Sequence, residues 1–153
     1  MNSQNKRYKE TSLTILMAED DPDDRFLITR AFHELDIDAV LCFVEDGEEL
    51  MHYLFHNDKP ADSDCSQPPA LILLDLNMPK KDGREVLLEI RANPHFRELP
   101  VVVWTTSDHE EDMTFCHENG ANSYVTKPHS YTDLVETVRT VISQWLPLPT
   151  NLS

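Results

Sequence analysis

Apolar positions along the chain follow two rhythms. Short runs rich in Leu, Ile and Val are separated by longer stretches in which apolar residues recur every three or four positions, the spacings of buried strands and of helices with one apolar stripe. Residues 13–18 (LTILMA) predict a first strand. Residues 22–35 predict a helix with Phe26, Ile28, Ala31, Phe32 and Leu35 inward and Pro22 in the first turn, where its missing N–H costs nothing. A second strand follows at 40–44, then a helix over 46–56 with Leu50, Tyr53 and Leu54 inward.

Residues 57–69 (NDKPADSDCSQPP) have no period and read as an extended loop, long for a compact unit. The near-continuous apolar run at 70–74 ends in Asp75, the pattern of a central parallel strand. Further helices are predicted at 82–91 and 108–118, the second stopped by Asn119-Gly120, and further strands at 101–104 and 123–126. Tyr131, Leu134, Val135, Val138, Val141, Ile142 and Trp145 mark a last helix, ended by Pro147 and Pro149. Five strands alternating with five helices predict a doubly wound α/β fold, a parallel sheet covered on both faces. The expected layout is a polar extension at 1–11, one domain at 12–146 and a short tail at 147–153, with no output domain.

Charge narrows the partners. With 28 acidic against 13 basic residues the net charge is −15, so nucleic-acid phosphates and anionic membranes are repelled. No apolar run reaches membrane-spanning length, and no secretory signal is evident. Cys42, Cys65 and Cys116 lie far apart and form no CxxC pair, so neither a zinc site nor a disulfide framework is expected, and a reducing cytoplasm is the simplest home.

Strand ends of such a sheet converge on one rim near the topological switch point. Here they carry Glu19 and Asp20 from the first strand, Asp75 from the third, Thr105 from the fourth and Lys127 from the fifth. Three carboxylates make an oxygen site suited to Mg²⁺. Asp75 is then an ionised nucleophile able to take a phosphoryl group, with Lys127 and Thr105 able to meet the added charge. Asp23 and Asp24 read instead as the solvated first turn of a helix. The stretch DDPDDRFLITR lacks the alternating ligands and central glycine of an EF-hand. His52 and His56, four apart, have no third ligand, and Trp104 reads as core.

The motifs AEDD at 18–21, LLDLNMPKKDG at 73–83, VWTTS at 103–107 and YVTKP at 124–128 together resemble the receiver domain of two-component response regulators, over roughly residues 12–146. The resemblance implies a flavodoxin-like (βα)5 fold with strand order 2-1-3-4-5. It makes Asp75 the phosphoacceptor, Glu19 and Asp20 the acidic pair around Mg²⁺ (with Mn²⁺ an acceptable substitute), and Asn77 a donor of its backbone carbonyl. Thr105 and Tyr124 take the switch positions and Lys127 that of the family lysine. Read alone, Tyr124 has a core aromatic as its alternative role, and Asp21 is a third acid that a shifted register would also bring to metal.

The long loop, the TTS sequence and the missing output domain are most similar to small receivers paired with bacterial and cyanobacterial phytochrome histidine kinases. A downstream protein or a histidine phosphotransfer protein would then receive the signal. The last helix, ending in Trp145, is longer and more aromatic than packing on a sheet requires, which points to homodimerisation through it. Two other readings fit less well. A haloacid dehalogenase-type phosphatase wants an acid two residues after its nucleophile, where this chain has Asn77, and a receiver degenerated into a docking module would not require the full set of site residues.

Overall fold

The computed structural model describes residues 13–56, 65 and 67–146. The polar extension, the tail with Pro147 and Pro149, and most of the loop at 57–69 lie outside the described residues. In chain order the elements are β1 (Leu13–Ala18), α1 (Pro22–Glu34), β2 (Ala39–Val44), α2 (Gly47–His56), β3 (Leu71–Leu74), α3 (Gly83–Ala92), a 3-10 turn (Pro94–Phe96), β4 (Val101–Thr105), α4 (Glu110–Glu118), β5 (Ser123–Thr126) and α5 (Tyr131–Trp145). The strands form one parallel sheet in the order β2-β1-β3-β4-β5.

Alternation along each strand divides the core in two. Leu16, Ala18, Ile72, Leu74, Val101 and Val103 face α2, α3 and α4, whereas Ile15, Met17, Leu71, Leu73, Val102 and Trp104 face α1 and α5. Strands buried on both faces must be apolar throughout, which is why β3 reads LILL with no polar break. Each such side chain contributes roughly 1.5–3 kcal/mol of burial.

Register then carries the polar strand ends to one rim. Ile15 lies opposite both Leu41 and Leu71, Leu73 opposite Val102, and Trp104 opposite Val125. The ladder runs one residue past the strands at two places. Glu19 donates its N–H to the Val44 carbonyl (2.9 Å), and Lys127 donates its N–H to the Thr105 carbonyl (2.7 Å).

Helix starts follow their caps. Asp21 accepts from the Asp23 N–H at the head of α1, and Asp82 accepts from the Arg84 N–H at the head of α3. Asp82 therefore stands just outside α3, and α4 likewise begins at Glu110, behind His109.

Two expectations are corrected, and two features were not foreseen. Phe26 is 65% exposed; it stands two residues before Ile28, about 200° around the helix at 3.6 residues per turn, so the buried stripe is Ile28, Ala31 and Phe32, with Leu35 half-buried. Met51 on α2 is buried, and the turn at Pro94–Phe96 was not foreseen. Finally, Cys42 on β2 and Cys65 form a disulfide, both sulfurs within the α2 side of the core. The link joins two cysteines 23 positions apart, a meeting that spacing alone does not announce. Cys116 is free and buried, and burial pushes its thiol up to about 11. Trp104 is core, as expected.

Candidate functional site

The residues just past β1, β3 and β5 meet around one ammonium. Lys127 Nζ lies 2.7 Å from Glu19 Oε1, 3.2 Å from Asp75 Oδ2 and 3.4 Å from Asp24 Oδ2. The cleft is largely closed to solvent: side-chain exposure is 2% for Glu19, 11% for Asp75 and 14% for Lys127. Burial disfavours the charge on Lys127, but the Glu19 hydrogen bond and the fields of Asp75 and Glu19 outweigh it and hold the ammonium above its ordinary range. On Glu19 burial wins, and its carboxyl is raised although Lys127 and the Asp21 N–H pull it down.

Local geometry fixes both acids. Glu19 Oε2 accepts from the Asp21 N–H (3.1 Å), and its carbonyl accepts from Arg25 Nε (2.6 Å), whose guanidinium lies over the Phe43 ring. Asp75 Oδ1 accepts from the Asn77 N–H (3.1 Å), which turns the chain sharply after β3. Gly83 closes that turn from the other side. A Cβ there would stand 2.2 Å from the Asp75 carbonyl oxygen, so only glycine lets α3 begin this close to the acidic residue.

The other predicted site residues are placed less uniformly. Asp20 and Asn77 are both exposed. Asp21 spends its carboxylate as the α1 cap. Thr105 is fully buried at the end of β4, and its Oγ1 accepts from the Ser107 N–H at 3.3 Å. Tyr124 is half-buried against the core and donates its hydroxyl to the Ser107 carbonyl (2.9 Å); burial raises its phenol above the ordinary range. His52 is exposed, and the side chain of His56 lies outside the described residues.

One residue set aside in the sequence belongs at this cleft. Asp24 is 41% exposed on the first turn of α1, yet its carboxylate reaches Lys127; the helix starts so close to the rim that its first inward turn joins it. The signal was present in the spacing, one helical turn beyond Asp20, but a first-turn acid has the simpler dipole role.

Three carboxylates against one ammonium leave two uncompensated negative charges, the complement of a divalent cation. Among the described residues no three acidic, His or Cys side chains form a cage by themselves. Mg²⁺ does not need one, since one or two carboxylates plus waters and phosphoryl oxygens suffice, and an all-oxygen donor set of this charge fits it.

Comparison with known proteins agrees. The family model for the response regulator receiver domain matches residues 15–139. The response regulator Rcp1 of Synechocystis sp. is 42% identical over 132 residues, 86% of this chain and 88% of that protein. A crystal structure of the Mn²⁺-bound form of Rcp1 superposes with a TM-score of 0.77 at 40% identity, over 90% of this chain and 97% of that one. The phosphorylated cyanobacterial phytochrome response regulator RcpA superposes with a TM-score of 0.78 at 36% identity, over 92% and 98% of the two chains. Response regulator RPA3017, in red light signalling of R. palustris, gives 0.79 at 37% identity, over 91% and 99%. The chain belongs to the response regulator receiver domain family, the signalling module of two-component systems, and stands close to the regulators associated with phytochromes.

Proposed function

We propose that Asp75 accepts a phosphoryl group from the phosphohistidine of a sensor kinase, and that the modified chain changes the surface it offers to partners. A carboxylate oxygen of Asp75 bonds to phosphorus as the P–N bond breaks, and the departing imidazole takes up a proton. Lys127, already ionised and shared between Glu19 and Asp75 at 2.7 and 3.2 Å, is the observation that carries this reading. It can follow the new negative charge without leaving the cleft. Glu19, Asp20, Asp75 and the backbone carbonyl of Asn77 would hold Mg²⁺, or Mn²⁺ in its place, which supplies neutralisation of phosphoryl charge when bound.

Thr105 and Tyr124 are the switch residues in this reading. A phosphoryl oxygen on Asp75 would accept from the Thr105 hydroxyl and draw that side chain toward it, and Tyr124 responds through Ser107, which bonds both residues. Likeness to RcpA and RPA3017 supports a kinase of phytochrome type. The signal would then pass to a downstream protein or to a histidine phosphotransfer partner. We include a homodimer through the end of α5, although Trp145 is half-buried and already donates to Ser123 Oγ (3.0 Å) within the chain.

Intact mass after incubation with acetyl phosphate and Mg²⁺ tests the proposal. One phosphoryl adduct is expected, lost with chelator and lost with Asp75→Asn. An adduct that survives Asp75→Asn overturns the assignment.

A further inference from the structure

A second polar network crosses the molecule beside the cleft, and the transfer chemistry does not need it. Arg84, the second residue of α3, sends Nε and Nη2 to Asp112 Oδ1 on α4 (3.0 and 2.8 Å), and Nη1 to both oxygens of Asp82 (3.2 and 3.1 Å). The other oxygen of Asp112 accepts from the Ser107 hydroxyl at 2.6 Å. One carboxylate therefore ties the head of α3 to the loop between β4 and α4.

Ser107 is where this network meets the switch. Its N–H donates to Thr105 Oγ1 and its carbonyl accepts from Tyr124, while its hydroxyl is gripped by Asp112. At the far end Gly83, packed without room for a Cβ against the Asp75 backbone, fixes Arg84 relative to the phosphoacceptor. Two routes thus join Asp75 to Thr105 and Tyr124: one through the cleft, the other through Gly83, Arg84, Asp112 and Ser107.

We infer that Arg84 and Asp112 are positioning residues that latch Ser107, and with it Thr105 and Tyr124, in the unphosphorylated arrangement, so that the strength of their ion pair sets how readily the switch is thrown. The inference rests on Asp75 being the phosphoacceptor. The Ser107 N–H holds the Thr105 side chain in its present direction, so a swing of that side chain toward a phosphoryl group on Asp75 stretches this bond. If Ser107 moves to release it, the Asp112 hydrogen bond and the Tyr124 acceptor move as well. An interaction made in the resting arrangement alone biases the equilibrium by its own strength. Arg84 is about a third exposed, Asp82 more so and Asp112 less, which keeps the ion pairs screened and weak enough to yield.

The test compares the rate of adduct formation on Asp75, with acetyl phosphate and Mg²⁺, in wild type, Arg84→Met, Asp112→Asn, their double variant, and Arg84→Lys. Each single variant should phosphorylate about three- to fivefold faster, the factor that an ion pair of this exposure can supply. The double variant should be no faster than the singles, because both remove one latch, and Arg84→Lys should fall between. Ser107→Ala, which removes only the gripped hydroxyl and spares the ion pairs, should reproduce the rise. Unchanged or slower rates, with or without a lower Tm, would mean that the network is merely structural. A wild type that takes no phosphoryl group would sink the phosphoacceptor reading and the latch together, an outcome distinct from an adduct indifferent to these substitutions.

Discussion

The cleft and the latch are built from the same parts, carboxylates around a basic side chain, but at different depths. Around Lys127 the side chains of Glu19 and Asp75 are 2% and 11% exposed; around Arg84 those of Asp112 and Asp82 are 15% and 43% exposed. A buried ion is expensive unless paired, so removing one partner is punished far more than the pair itself stabilises. A screened pair is worth about 0–1 kcal/mol and can be broken and remade. Charge that must stay put for chemistry is therefore buried, and charge that must yield during a conformational change is left near water.

The widest separation between the two regions should come from stability. Lys127→Met keeps the volume of the side chain but leaves Glu19 buried without its partner, and should cost about 3–5 kcal/mol in urea unfolding. Arg84→Met should cost less than about 1 kcal/mol. Equal losses would break the comparison. Reduction of the Cys42–Cys65 disulfide, or Cys65→Ser, supplies a reference: a link across 23 positions should be worth about 3 kcal/mol. It touches neither network, so the rate of phosphoryl adduct formation should stay unchanged while stability falls. A parallel fall in rate would show that loss of stability alone accounts for loss of activity.

The smallest effect is in pH. Hydrogen bonds from Ser107 and Arg84 hold the Asp112 carboxyl below the ordinary range. The unfolded chain lacks them and binds its proton at higher pH, so the Asp112 contribution is complete above the ordinary carboxylate range and fades as pH falls through the folded value. The stability gap between wild type and Asp112→Asn should narrow on acidification through that window. A gap that widens there would mean that Asp112 is not held ionised by the latch.

The fold was legible because its signals are local. Apolar runs, proline and glycine stops and first-turn acids each name an element on their own, and the ends of those elements line up Glu19, Asp75, Thr105 and Lys127 without any knowledge of packing. What escaped depends on pairs. Cys42 meets Cys65, Asp24 reaches Lys127 and Arg84 bonds Asp112 only after helices and loops have docked. Phe26 misled because apolarity near a stripe was counted as membership of it, although the helical angle puts Phe26 on the far side.

Gly83 has a consequence for anyone who would cut and splice this molecule. The head of α3 rests on the peptide group of Asp75 with no space for even a methyl group between them. Helix and acceptor turn thus make one indivisible cassette from Asp75 to Arg84, closed by the Gly83 N–H bonding the Leu76 carbonyl at 3.0 Å. A chimera that takes α3 from another regulator to redirect its partners should exchange the whole cassette, with its junctions in β3 and past Arg84. A junction between the acceptor and Gly83 would join surfaces shaped for different neighbours, and the damage would reach Asp75 before it reached the new partner.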